Sequence, residues 1–79
     1  MKGNFILYTK DKCHLCEKAK RELQKARESI PFQYEEVDIE TSDELIEKYG
    51  LMIPVLMLEG TMIQYGQIDC DTIVNFLKK

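Results

Sequence analysis

Two cysteines separated by two residues lie near the start of the chain, in the segment TKDKCHLCE at residues 9–17. Thiolates bind soft metal ions, form disulfides and attack other disulfides, so Cys13 and Cys16 could hold a metal, staple the fold or carry out redox chemistry. A purely structural bridge would add little stability, because so short a loop removes little unfolded-state entropy. Zinc usually takes four ligands in two separated pairs, and the third cysteine, Cys70, lies far along the chain. A reactive dithiol is therefore favoured, and a Cu(I)- or Zn(II)-binding carrier stays open as the alternative.

The elements on either side of this pair predict which cysteine reacts. Residues 4–9 form a compact apolar run typical of a strand buried on both faces, and apolar residues recur at helical spacing over residues 13–28. Cys13 thus falls at a helix N-terminus, where unpaired amide groups and the positive end of the helix dipole stabilise a thiolate. We expect Cys13 to be the nucleophile. Cys16, one turn later on the apolar stripe, is expected to be more buried and to attack the mixed disulfide that Cys13 forms.

The rest of the chain continues the alternation of strands and helices. The patterning predicts a second strand at 32–39, a helix from a Ser42 cap to residue 49 with Gly50 at C′, strands at 55–58 and 62–65 around a turn at 59–60, and a last helix from Asp69 or Asp71. The order β-α-β-α-β-β-α predicts a parallel first pair of strands and an antiparallel last pair. We expect a single α/β domain over residues 1–79, a three-layer sandwich with a four-stranded mixed sheet and helices on both faces.

Composition narrows the class of protein. The 79 residues are 44% hydrophobic and 32% charged, which is typical of a globular protein. The net charge of −3, with glutamates interleaved among the basic residues of the first helix, argues against a nucleic-acid partner. The longest uncharged apolar run, residues 51–58, is too short to span a membrane, and the N-terminus lacks the features of a secretion signal. These features predict a cytoplasmic protein without a membrane partner, and nothing in the sequence demands more than a monomer.

Two separated landmarks carry a family resemblance. The segment ILYTKDKCHLCEKAKREL resembles the opening of the glutaredoxin-like proteins of the thioredoxin superfamily, and Met52-Ile53-Pro54-Val55 is similar to the loop in which that family places a cis-proline facing the active cysteine. The resemblance implies a thioredoxin-like, glutaredoxin-type fold and a thiol–disulfide oxidoreductase. It also implies a cis Ile53–Pro54 bond and pairing of the Ile53 backbone with the extended backbone of the substrate. No bound cofactor is implied; electrons arrive from glutathione or from another dithiol protein fed by NADPH.

The chain departs from the family between its cysteines. His14-Leu15 stands where glutaredoxins typically have Pro-Tyr. We expect His14 to be an exposed residue of the first turn whose protonated form would favour the Cys13 thiolate. Leu15 is expected to form part of an apolar rim around Cys13. Both residues would therefore tune the cysteine pair.

A second departure lies after the fourth strand. Glutaredoxins have a pair of glycines there that holds glutathione, and the corresponding positions of this chain are Gln64 and Tyr65. The resemblance leaves Lys10, Gly66 and Asp69 as candidates for holding an anionic group of the substrate. Tyr65 is either an apolar cover near the active cysteine or a packing residue of its strand. Cys70 is either a partly buried small residue or an additional regulatory thiol.

These observations predict a thiol–disulfide oxidoreductase that reduces protein disulfides or glutathione mixed disulfides through Cys13 and Cys16. Its partners would be disulfide-containing proteins, or glutathione, and a glutathione reductase or thioredoxin reductase system. A reductase that depends on thioredoxin reductase rather than on glutathione is one alternative. A metal carrier is a second, and a non-catalytic interaction module of thioredoxin-like fold is a third.

Overall fold

A computed structural model describes residues 4–78, so the ends of the predicted domain, residues 1–3 and 79, lie outside the described residues. The elements in chain order are β1 (Phe5–Thr9), α1 (His14–Ser29), β2 (Tyr34–Asp38), a 3-10 turn (Ile39–Thr41), α2 (Asp43–Tyr49), β3 (Val55–Leu58), β4 (Thr61–Tyr65) and α3 (Cys70–Lys78). The predicted order is confirmed. No helix within this part of the chain has the length and apolar character that crossing a membrane requires.

The four strands form one mixed sheet in the order β2-β1-β3-β4. β1 pairs with β2 in parallel and β3 pairs with β4 in antiparallel, as the sequence predicts. β1 also pairs with β3 in antiparallel, which joins the two predicted pairs into one sheet. β1 is an inner strand, and its side chains are accordingly buried or half-buried along its whole length. β2 lies at an edge, where Glu35 and Glu36 can remain in water.

Helices cover both faces of the sheet, as expected for a three-layer sandwich. On one face, α1 and α3 pack against β1 and β3 around a core that includes Phe5, Leu7, Leu23, Leu56 and Ile73. On the other face, α2 contributes Tyr49, which packs with Ile39 and Val55 and stacks on Tyr8 with a ring-centroid distance of 4.7 Å. Val55 and Leu56 point to opposite faces because side chains alternate along a strand.

Two predictions about the elements need correction. The second strand covers residues 34–38 rather than 32–39, because the Asp38 carboxylate accepts the Glu40 N–H at 2.9 Å and starts the 3-10 turn at Ile39. Ser42 does cap α2, through its Oγ and the Leu45 N–H. Gly50, however, is the C-cap in right-handed helical conformation (φ −55°) and not a left-handed C′ residue. Its need for glycine is steric, since a Cβ there would collide with the Ile46 carbonyl oxygen.

Candidate active site

The cysteine pair and the proline loop meet at one end of the sheet. The cysteine pair follows β1, and residues 53–54 precede β3. Tyr8, near the end of β1, is paired with Val55, the first residue of β3, in antiparallel register. The segments just beyond these paired residues therefore leave the sheet side by side, although they are some forty residues apart in the sequence.

The end of β4 joins the same region. Tyr65 is opposite Val55 in the ladder between β3 and β4. The next residue, Gly66, has a left-handed backbone (φ 75°) that favours glycine, and its N–H approaches the carbonyl oxygens of Pro54 at 2.8 Å and Met52 at 3.1 Å. The loop after β4 is thus fastened to the proline loop by backbone hydrogen bonds.

Cys13 is the N-cap of α1. Its backbone is extended (φ −111°), and its Sγ accepts the Cys16 N–H at 3.2 Å, which is the role that a serine or aspartate oxygen plays at most helix starts. In the reduced protein this amide and the positive end of the helix dipole both favour the charged thiolate over the neutral thiol. The local structure therefore suits Cys13 to nucleophilic attack on a disulfide.

The two cysteines differ in exposure in the direction that the sequence predicts. Cys13 is half-buried, whereas Cys16 is 1% exposed and belongs to the buried stripe of α1. They are joined by a disulfide across a Cα–Cα distance of 5.2 Å. A reagent from solvent can therefore reach the first sulfur more readily than the second.

A tight turn at residues 11–12 brings Cys13 to the start of α1. Lys12 has φ 56°, in the left-handed region that costs a residue with a side chain roughly 1–2 kcal/mol. Strained backbone of this kind is tolerated where the surrounding fold fixes it, and it is concentrated at functional sites. The turn allows the chain to leave β1 and to enter the helix with the cysteine at the cap.

The Ile53–Pro54 peptide bond is cis, as the family resemblance implies. Pro54 is buried and Ile53 is half-buried. The Ile53 N–H donates to the Tyr49 carbonyl oxygen at 3.1 Å, at the end of α2. Backbone pairing of a substrate with this N–H, which remains a prediction, would require it to exchange that partner.

The side chains expected around the cysteines are largely exposed. Lys10 and His14 are exposed, and Leu15 is 38% exposed beside the disulfide in α1. Tyr65 is 58% exposed, so it is not a packed residue of the sheet interior. Leu15 and Tyr65 are therefore accessible for contact with an apolar part of a substrate.

A groove of about 200 Å³ lies between α1 and the loop after β4. Its walls are Leu15, Lys18 and Glu22 on the helix and residues 66–69 on the loop. The structure thus brings Gly66 and Asp69 together with Leu15 in one groove. Lys10 lines a separate depression with residues 9–12 and the acidic side chains near the end of β2, so these three candidate anion-binding residues do not share one pocket.

Asp69 caps α3 and ties it to β4. Its Oδ1 accepts the Thr72 N–H at 2.8 Å, and its own N–H donates to Gln64 Oε1 at 3.1 Å. The Gln64 side-chain amide donates in turn to Asp69 Oδ2 at 3.1 Å. These contacts, the Thr72 N–H first, hold the pKa of the Asp69 carboxyl below its usual value. Gln64 therefore has a structural role where the family places a glycine, a role that residue type alone did not reveal.

Asp69→Ala is expected to lower the free energy of unfolding by about 0.5–2 kcal/mol at pH 7, the range for loss of an N-cap side chain. The folded-state pKa of Asp69 is depressed, so its stabilisation is complete above the unfolded pKa and is lost as pH falls through the folded pKa. In urea unfolding, the difference in the free energy of unfolding between the unaltered protein and Asp69→Ala should therefore shrink as the pH is lowered from about 5 to about 2. Asp69→Asn, which keeps an oxygen acceptor that does not titrate, should retain most of the stability at pH 7. Equal stability of the alanine variant and the unaltered protein at pH 7 would contradict the capping role.

Glu22 is a second residue that the sequence pattern did not single out. The Cys70 N–H, at the start of α3, donates to Glu22 Oε1 at 2.9 Å across 48 residues of sequence. The other carboxylate oxygen pairs with Lys25 at 2.8 Å. The ammonium of Lys25 and then the Cys70 N–H hold the pKa of Glu22 below its usual value. Glu22 therefore lies charged in the wall of the groove and occupies an amide of α3.

The Cys70 side chain is half-buried, as in the first of the two interpretations given for it. Burial raises the pKa of its thiol, and the negative charge of Asp71 adds to that effect. A raised pKa disfavours the thiolate, which is the reactive form of a cysteine. Over residues 4–78, no three or more His, Cys, Asp or Glu side chains are grouped so that they could hold a metal ion.

Comparisons with known proteins agree with this geometry. The sequence model of the glutaredoxin-like domain (DUF836) matches residues 4–78. Target protein XcR50 from X. campestris is 30% identical, with a TM-score of 0.80 over 94% of this chain and 95% of that one. Protein Ne2328 from Nitrosomonas europaea is 24% identical, with a TM-score of 0.83 over 96% of this chain and 92% of that one. No curated protein matches the chain.

The fold extends to the thioredoxins themselves. Thioredoxin 1 from the thermophilic eubacterium Thermosipho africanus is only 14% identical, yet it superimposes with a TM-score of 0.64 over 95% of this chain and 90% of its own. The predicted thioredoxin-like fold is thus confirmed, and the Cys13–Cys16 disulfide within it fits a redox function. With a family match over residues 4–78, the chain belongs to the glutaredoxin-like domain family.

Proposed function

We propose that this protein is a thiol–disulfide oxidoreductase that reduces protein disulfides or glutathione mixed disulfides through Cys13 and Cys16. The observation that carries the proposal is the asymmetry of the pair. Cys13 is a half-buried N-cap whose sulfur accepts the Cys16 N–H, and Cys16 is buried one turn later within disulfide distance. An accessible, activated sulfur next to a shielded one is what a nucleophile and a resolving thiol require.

The chemistry proceeds by two exchange steps. The Cys13 thiolate attacks one sulfur of the substrate disulfide, whose S–S bond breaks, and the other substrate sulfur leaves as a thiolate that takes a proton from solvent. Cys16, once deprotonated, attacks the Cys13 sulfur and displaces the second substrate thiol. Two electrons have then passed to the substrate, and the protein is left with the Cys13–Cys16 disulfide. Glutathione, or a dithiol protein reduced by NADPH, returns the pair to the dithiol.

The surrounding residues have assigned roles in this proposal. The cis Ile53–Pro54 loop aligns an extended stretch of substrate beside Cys13, and the exposed Leu15 and Tyr65 contact its apolar atoms. Lys10, exposed next to the turn, lines a depression separate from the groove, where it meets an acidic group of the substrate that lies outside the groove. Gly66 and Asp69 border the substrate within the groove. His14, at the first position of α1, favours the Cys13 thiolate when protonated.

NADPH consumption with a glutathionylated peptide and with a peptide containing an internal disulfide tests the proposal. The reaction is coupled through glutathione and glutathione reductase in one arm and through thioredoxin reductase in the other. We expect turnover in at least one arm, and the productive arm identifies the reductant. Absence of turnover in both arms, with Cu(I) or Zn(II) bound stoichiometrically to the reduced protein, would replace the proposal by the metal carrier.

A further inference from the structure

We propose that Glu22 makes the groove beside the cysteine pair select against acidic substrates, so that the preferred substrates are protein disulfides with neutral or basic flanking residues. This inference rests on the proposed function, because it concerns which disulfides reach Cys13. It starts from the position of the groove. Leu15, two residues after Cys13, is part of the groove wall, and Gly66 on the facing loop is hydrogen-bonded to the proline loop. The groove therefore opens beside the cysteine pair, where residues that flank a disulfide at Cys13 can enter it.

The charge of the groove wall disfavours an anion. The lining contains two carboxylates, Glu22 and Asp69, and one ammonium, Lys18. Lys25 neutralises part of the Glu22 charge, but its side chain is 64% exposed and it is not part of the lining. A substrate carboxylate in the groove would therefore lie near two like charges and one opposite charge.

Three of the backbone amide groups that could offset this repulsion are already engaged. The start of a helix is normally a good place for an anion, because its first N–H groups lack partners. At α3 the Cys70 N–H donates to Glu22 Oε1 at 2.9 Å and the Thr72 N–H donates to Asp69 Oδ1 at 2.8 Å. The Gly66 N–H, at the start of the loop that leads to α3, donates to the Pro54 carbonyl oxygen. The protein's own carboxylates thus occupy positions that a substrate carboxylate would need.

Of the two carboxylates in the groove lining, Glu22 is the one that can be replaced without removing the cap of a helix. Asp69 is the N-cap of α3, and its loss would disturb the helix itself. Glu22 reaches α3 from a different element, and its side chain is 23% exposed. Glutathione carries carboxylates at both of its ends, so its mixed disulfides belong to the disfavoured class. Glu22 is therefore a specificity-determining residue that distinguishes this groove from one that accepts glutathione.

Three synthetic peptides test the inference, each carrying a cysteine activated as its neutral 2-pyridyl disulfide and differing only in the next residue, Glu, Gln or Lys. Stopped-flow absorbance of the released thiopyridone gives the rate with the reduced protein, after subtraction of the slower reaction of the Cys13→Ser variant. We expect the Glu peptide to react more slowly than the Gln and Lys peptides. The measured quantity is the rate with the Glu peptide divided by the rate with the Gln peptide. The Glu22→Gln variant should raise this ratio by roughly three- to fivefold, the size of one partly screened charge contact.

Two further variants make the outcome decisive. Glu22→Ala, which also frees the Cys70 N–H, should raise the ratio at least as much as Glu22→Gln. Glu28→Gln removes the same charge from an exposed position on the same helix and should leave the ratio unchanged. An unchanged ratio in both Glu22 variants overturns the role of Glu22 while the proposed function stands. If the reduced protein reacts with none of the peptides faster than free glutathione does, the proposed function fails and this inference fails with it.

Discussion

Cys13→Ser is expected to lower the rate of turnover of disulfide substrates by roughly three orders of magnitude or more, as for other covalent nucleophiles. A serine hydroxyl at the cap can still accept the Cys16 N–H, so the start of α1 should be preserved. It cannot take part in thiol–disulfide exchange, and Cys16 is 1% exposed and cannot readily replace it. The measurement is the NADPH-coupled rate with the arm that supports the unaltered protein. Circular dichroism of the variant checks that the fold is retained.

Cys16→Ser should behave differently, because the first exchange step does not need the second thiol. We expect this variant to react once with a disulfide substrate and to retain the Cys13 mixed disulfide, visible in the intact mass as the addition of one substrate thiol. Cys70→Ser is the matched control, since Cys70 is half-buried with a raised thiol pKa, and it should retain turnover. An adduct that forms equally fast in Cys13→Ser and Cys16→Ser would contradict the assignment of nucleophile and resolving thiol.

The elements that position the cysteines could be predicted from the sequence because their patterns are local and strong. The apolar run of β1 and the helical stripe of α1 predict their bounds to within a residue, and the cysteines lie at the junction between them. The capping position of Cys13 and the burial of Cys16 follow from that junction alone. The cis-proline loop came from family resemblance and not from periodicity, since one proline before a strand has several explanations.

The groove could not be predicted in the same way because it depends on how α1 and α3 pack. Glu22 follows helical periodicity as an exposed acidic residue, and nothing near it in the sequence indicates a bond to the Cys70 N–H 48 residues later. The family resemblance groups Lys10, Gly66 and Asp69 as candidates for binding an anion, yet Lys10 lines a different depression from the other two. The groove residues proposed to determine substrate preference are thus brought together by tertiary packing, whereas the cysteine pair is positioned by local sequence.

The packing of α1 on the sheet is what keeps the cysteine pair in place, so its loss should have the largest effect on stability. Leu23 is 0% exposed and lies in the core among α1, the sheet and α3. Leu23→Ala is expected to lower the free energy of unfolding by about 3–5 kcal/mol, because it removes buried methyl groups and leaves a cavity. The whole free energy of unfolding of a domain of this length is only roughly 4–12 kcal/mol. The variant should therefore be partly unfolded at room temperature or unfold at much lower urea.

Leu51→Ala is the matched control, because the same atoms are removed from a leucine that is 105% exposed. It should change the free energy of unfolding by no more than about 0.5 kcal/mol, as for most surface substitutions. Both variants are compared with the unaltered protein by urea unfolding in the oxidised form, so that the Cys13–Cys16 disulfide constrains each unfolded chain equally. A loss below about 1 kcal/mol for Leu23→Ala would fall outside the range for a buried leucine and would mean that α1 is not anchored through this side chain.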